Sequence, residues 1–179
     1  MDLILLITGL LQLLLSLLIG VFFIYAGVRI FQKLTRGINE TEELKKNNVA
    51  VGILNAAIAL ALIIDVKNSL ESSITIFSNT LRNPDAVFLT YFKTALLMIG
   101  HVILSGIIAI GIIYSALRIF MHLTKDLDEL KEIKENNIAV SIFLSIIIVA
   151  LALLFEPGIK TILDALIPFP QVSFLNIGS

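Results

Sequence analysis

The sequence contains no cysteine, only two histidines, and long stretches without charge. The absence of cysteine excludes disulfide bonds, thiolate metal sites and thiol nucleophiles together. The sequence also lacks a Gly-rich phosphate loop, a histidine pair at metal-binding spacing and a Ser–His–Asp set. We therefore expect a protein that is not an enzyme and that carries no cofactor and no metal.

The charge of the chain is almost balanced, with 13 basic and 14 acidic residues and a formal net charge of −1. A chain this close to neutral gives no reason to expect a polyanionic partner such as nucleic acid. No Lys or Arg precedes Arg29, whereas a cleavable signal peptide has a basic start and a short apolar core. We expect the first apolar run to be a membrane span.

Apolar residues dominate the composition. They make up 58% of the chain, and the mean hydropathy is +0.99, against about 45–50% apolar residues in a typical soluble domain. Four runs approach the ~20 apolar residues that cross the hydrocarbon core of a bilayer as a helix. The sequence therefore predicts an all-α integral membrane protein with four transmembrane helices, at about 3–30, 47–65, 92–119 and 136–155.

The chain consists of one design written twice. When the sequence is shifted by 89 positions, residues 12–78 align with residues 101–167 without a gap, and 14 of the 30 residues from 25 to 54 are identical to their copies. This predicts two membrane repeats, 1–89 and 90–179. Because each repeat has two spans, both copies have one orientation, so the repeats are expected to be parallel and related by an axis along the membrane normal.

Basic residues concentrate in two turns, 29–48 and 118–137, which hold nine of the 13 Lys and Arg residues. By the positive-inside rule these turns face the cytoplasm and both termini lie outside. Apolar residues at helical spacing among polar ones, at about 67–81 and about 158–167, predict two amphipathic helices in the membrane interface.

Polar residues at the inner corner of each hairpin are kept in both repeats. Arg29 falls within one helical turn of Glu43 across the corner, which predicts an Arg–Glu pair in each repeat. Asn is a poor interior helix former, so a doublet of Asn that occurs twice indicates hydrogen bonds across the repeat axis, or binding of a headgroup, ion or partner chain. The plainer interpretation is that these residues only anchor the corner. This candidate site comprises Tyr25, Arg29, Glu43, Asn47, Asn48, Tyr114, Arg118, Glu132, Asn136 and Asn137.

A second candidate is an intramembrane polar seam. Gln12 and Ser16 lie on one face of the first span, and His101 and Ser105 occupy the matching positions of the third. Small residues at every fourth position favour simple helix packing. The alternative is a path for protons, ions or a substrate, with His101 as the titrating group.

A motif that occurs in both repeats resembles the domain-of-unknown-function 350 family, also filed as the UPF 0719 inner-membrane proteins. The motif is Tyr-x-x-x-Arg-x-Phe…Leu-Thr, followed by Glu- and Lys-rich residues and Asn-Asn-x-Ala-Val. The resemblance covers nearly the whole chain and both copies of the motif. It implies a duplicated, multi-pass protein of the prokaryotic plasma membrane. It brings no assigned activity and no catalytic residues, and it hints at a role in envelope maintenance.

These observations favour a homo-oligomeric membrane scaffold whose cytoplasmic corners dock a partner protein or lipid. The alternative is a small ion or proton channel or transporter that uses the Gln12/His101 seam.

Overall fold

Helices make up most of the described chain, which covers residues 3–34, 38–124 and 128–166 of a computed structural model. Four of them are long and apolar enough to cross a membrane, so the predicted all-α membrane fold is confirmed. In chain order the helices are α1 (Leu3–Leu34), α2 (Glu40–Lys45), α3 (Val49–Arg82), α4 (Phe88–Leu123), α5 (Glu129–Lys134) and α6 (Ile138–Leu166).

Helix α3 is the centre of the bundle and packs on α1, α4 and α6. Its buried face carries small and branched apolar residues at helical spacing, among them Leu54, Ile58 and Ala61. These meet a matching surface that includes Ala109 of α4 and Ile148 of α6. Small residues at such interfaces let helices approach closely. Close van der Waals packing then stabilises the helix pair, because the hydrophobic effect does not drive helices together within lipid.

Helix α1 lies at the edge of the bundle. Its Phe23 is buried in a second apolar cluster with Val66 and Leu70 of α3 and Met98 of α4. Gly106 of α4 makes this contact possible, because an added Cβ there would overlap the Phe23 ring. Much of the remaining surface of α1 is exposed and apolar, as suits a helix that faces lipid.

The amphipathic segments predicted as separate interfacial helices form the ends of α3 and α6 instead. Segment 67–81 continues α3, because no Pro or Gly interrupts the sequence from 53 to 83. Segment 158–166 continues α6, which runs through Pro157; residue 167 lies outside the described part. With 34 residues, α3 is about 51 Å long. The hydrocarbon core is ~30 Å thick, so the helix extends beyond it.

The two corners lie side by side at one end of the bundle. The Asn136 side chain accepts a hydrogen bond from the Ala50 backbone N–H at 3.0 Å, and the Ser141 hydroxyl donates to the Ala50 carbonyl at 2.5 Å. Both bonds join the first repeat to the second. The two hairpins therefore point the same way, which is the parallel arrangement that the even number of spans predicts.

Candidate functional site

Each Asn doublet builds the same turn. Asn47 and Asn136 have φ angles of 60° and 66°, in the left-handed region that Asn tolerates better than most residues. The second Asn of each doublet caps the next membrane helix: Asn48 accepts a hydrogen bond from Val51 N–H at 3.0 Å, and Asn137 from Val140 N–H at 3.3 Å. The doublet thus ends one helix and starts another.

Asn48 also links the two repeats. Its side chain is buried, and its amide group donates to the carbonyl oxygens of Ile133 at 3.2 Å and Lys134 at 3.0 Å. The same amide donates to the Glu43 carboxylate at 3.2 Å. In the second repeat, Asn137 donates to the Glu132 carboxylate at 2.7 Å. The corners are therefore joined by a hydrogen-bond network, and Asn48 is its central residue.

Glu43 pairs with Lys46, whose ammonium group lies 2.9 Å from the carboxylate. Hydrogen bonds from Lys46 and then Asn48 hold the pKa of Glu43 below its usual value of 4.5. The same contact raises the pKa of Lys46. The second repeat has Glu135 where the first has Lys46, so this ion pair has no copy in the second corner.

The two corner arginines contact tyrosines of their own helices. Arg29 donates to the Tyr25 hydroxyl at 3.2 Å, and Arg118 to the Tyr114 hydroxyl at 2.9 Å. Each guanidinium also lies over the tyrosine ring, 5.3 and 5.7 Å from the centroid, where the ring quadrupole attracts a cation. The contacts described for the two arginines are therefore with the tyrosine four residues earlier in the same helix, and the Arg–Glu pairs across the corner stay a prediction.

The polar seam predicted between Gln12 and His101 is split in two. Gln12 and Ser16 line a groove between α1 and α3, together with Lys67 and Glu71. His101 lines a separate cavity against the opposite face of α3. The two positions match in the repeat, but the fold does not bring them together.

The cavity at His101, called here the buried chamber, lies between α3, α4 and α6. Its volume is about 10 Å³, which is close to the smallest space that holds one water molecule. The polar residues that line it are Asp65, Asn68, Ser69, Ser72, His101, Glu156 and Lys160.

Hydrogen bonds tie the three helices together around the chamber. The Ser69 hydroxyl of α3 donates to the His101 carbonyl of α4 at 3.3 Å. In return, the Ser105 hydroxyl of α4 donates to the Asp65 carbonyl of α3, also at 3.3 Å. The Asn68 amide donates to the Glu156 carboxylate of α6. Since both hydroxyls are used on backbone carbonyls, these bonds fix the walls of the chamber.

Asp65 is the unusual residue of the chamber. Its side chain is only 4% exposed. Neither carboxylate oxygen has a hydrogen-bond partner within residues 3–34, 38–124 and 128–166. A buried charge without a partner is costly, and ionisable residues inside membrane helices mark sites for ions, protons or substrates. Across the same described residues, no group of three or more His, Asp or Glu is placed to hold a metal ion.

Sequence reasoning missed Asp65 and Glu156 because both end an apolar run and were assigned to the boundaries of spans. One signal was present. Asp65, Ser69 and Ser73 follow each other at four-residue intervals, so they share one face of a helix. The same face carries Ala61, which is buried. The face with Asp65, Ser69 and Ser73 therefore points to the interior of the bundle.

A family model described as Domain of Unknown Function (DUF350) matches the chain twice, over residues 5–100 and 88–169. The two matches correspond to the two repeats seen in the structure. No curated protein and no solved structure matches the chain.

Proposed function

The chain belongs to the DUF350 family and carries its domain twice. We propose that it handles protons within the membrane, with the buried chamber as the proton-binding site. The family itself brings no activity. The proposal keeps the transport alternative of the sequence analysis but moves it from the Gln12/His101 seam to the chamber.

The observation that supports the proposal is the buried carboxyl group of Asp65. It lines one small cavity with His101 and Glu156, so three ionisable side chains border a water-sized space. In such surroundings a carboxylate takes up a proton or a cation more readily than it stays charged alone. The small volume and the lack of a three-ligand metal cluster among the described residues favour a proton.

The chamber lies near one end of the bundle. Asp65 follows Val49, the first residue of α3, by 16 positions, or about 24 Å along the helix. It therefore lies far from the corners and near the opposite membrane interface, close to the exposed residues Lys160 and Asp164. Between the chamber and the corners, α3, α4 and α6 pack mostly through apolar residues, with buried polar atoms of Asn55 and Ser145 among them. Protons would enter from the end away from the corners.

Proton flux in reconstituted vesicles tests this proposal. An imposed pH gradient, followed by a pH-sensitive dye inside the vesicles, is expected to collapse faster with the parent protein than in empty vesicles. Asp65→Asn should remove the effect, because its amide cannot take the proton. Asp85→Asn, in the exposed turn before α4, is the matched control and should behave like the parent. Flux that persists in Asp65→Asn would contradict the proposal.

A second candidate is a homo-oligomeric scaffold that docks a partner protein or lipid at the corners, with a role in envelope maintenance. One observation favours it: mostly apolar side chains pack between the chamber and the corners, so a conformational change would have to open a path before a proton can cross. The corners also present exposed Lys46 and Lys131 side chains. The scaffold would be favoured if vesicles with the parent protein show no proton flux and if oligomer formation is lost when corner residues are replaced.

We also propose that the corners face the cytoplasm of a prokaryotic cell, on the strength of the Lys and Arg residues in the turns. The absence of cysteine permits single labels at Thr41 and Lys131, which are both exposed. Cysteines at these positions should react with an impermeant reagent only after the membrane is opened. Labelling of these cysteines in intact cells would show that the corners lie outside and would contradict the proposed orientation.

A further inference from the structure

The groove between α1 and α3 is the first-repeat counterpart of the buried chamber. Shifted by 89 positions, Gln12 matches His101, Lys67 matches Glu156 and Glu71 matches Lys160. The same positions therefore line both spaces. The volumes differ widely, at about 190 Å³ for the groove and about 10 Å³ for the chamber.

The difference arises because α3 fills the second-repeat space and α6 does not fill the first. Asp65 and Ser69 of α3 project into the chamber region. Their counterparts on α6, Leu154 and Gly158, are exposed. The groove is consequently walled by apolar and small residues, among them Ile19, Gly20 and Val66. Such walls suit an apolar occupant.

We propose that this groove binds one phospholipid of the bilayer, with an acyl chain along α1 and a zwitterionic, ethanolamine-type headgroup at Lys67 and Glu71. The groove is apolar along most of its length and carries the Lys67 and Glu71 charges at one end. This arrangement matches the apolar chain and the charged headgroup of a phospholipid.

The charges at the end of the groove support the choice of headgroup. The Lys67 ammonium and the Glu71 carboxylate lie 3.6 Å apart and both side chains are substantially exposed. A phosphate with an attached ammonium offers the complementary pair of charges. Lys67 follows Val49 by 18 positions, or about 27 Å along α3. This places the pair near the level of the headgroups if the corner lies at the other interface, given a hydrocarbon core of ~30 Å.

Native mass spectrometry of the purified protein with added phosphatidylethanolamine or phosphatidylglycerol tests the proposal. The parent protein is expected to retain one phosphatidylethanolamine in preference to phosphatidylglycerol. Gly20→Leu should lower that binding about tenfold, a change of ~1.4 kcal/mol, because the new side chain fills the groove. The added Cβ meets nothing within 4 Å, so the fold is expected to survive.

Gly111→Leu is the matched control, since an added Cβ there also meets nothing within 4 Å and the position lies on α4, away from the groove. It should bind lipid like the parent. The double variant Lys67→Gln/Glu71→Gln should lose the preference for phosphatidylethanolamine but keep binding lipid. Equal lipid binding by the parent and Gly20→Leu would overturn the proposal. So would a Gly20→Leu protein that keeps its lipid but forms a smaller oligomer than the parent, because a second copy would then occupy the groove.

Discussion

Replacing Asp65 by leucine, the residue at the matching position 154 of the second repeat, is expected to stabilise the protein and to abolish proton flux. A buried polar group without a hydrogen-bond partner lowers the free energy of unfolding by about 1–3 kcal/mol. Both carboxylate oxygens of Asp65 lack such a partner within the described residues. The unfolding temperature in detergent should rise by roughly 2–12 °C for a chain of this size. A residue that weakens the fold while supporting an activity is typical of a functional site.

Asp85→Leu is the control for this prediction. Asp85 lies in the exposed turn before α4, so its removal should change the free energy of unfolding by less than about 0.5 kcal/mol. Thermal unfolding of the parent and both variants, in one detergent and at one pH, measures the difference. A loss of stability in Asp65→Leu would mean that the carboxyl group has a structural partner and that the chamber is a packing feature.

Asn48→Ala is expected to be the most damaging substitution at the corners. It removes the cap of α3, which is worth about 1 kcal/mol. It also leaves the Glu43 carboxylate without one of its donors and breaks both bonds to the carbonyls of Ile133 and Lys134. Because these acceptors are buried or partly buried, we expect a total loss of roughly 2–4 kcal/mol, measured as a lower unfolding temperature in detergent.

Asn137→Ala is the matched variant in the other repeat. Asn137 caps α6 and donates to Glu132, and these contacts stay within its own repeat. Its loss should therefore cost about 1–2 kcal/mol, clearly less than that of Asn48→Ala. Equal losses for the two variants would show that the bonds across the repeats add nothing, and that Asn48 acts only as a helix cap.

The sequence predicts the membrane fold well because long apolar runs and an internal copy are strong, local signals. It also identifies the corner doublets, since Asn is unusual at the start of a span. It could not give the reason for them, because a left-handed φ at Asn47 and a cap at Asn48 depend on where the short helix α2 ends. The sequence predicts Arg–Glu pairs across the corners, whereas the contact described for Arg29 is with Tyr25, one turn earlier in its own helix.

The chamber could not be predicted because its members come from three helices. Asp65, His101 and Glu156 are far apart in the sequence, and only the packing of α3 against both α4 and α6 brings them to one cavity. The internal repeat suggested a different site, because Gln12 and His101 occupy matching positions in the two copies. The copies have diverged in their surroundings, and the second-repeat site is completed by residues of the first repeat.

Infrared difference spectroscopy of the protein in lipid, recorded as the pH is lowered, tests most directly whether the chamber binds a proton. The account predicts a band from a protonated carboxyl group in an apolar environment that grows in as the chamber takes up its proton and is missing in Asp65→Asn. The band should remain in the control Asp85→Asn. A spectrum of Asp65→Asn identical to that of the parent at every pH would contradict the assignment of Asp65 as the proton-binding residue.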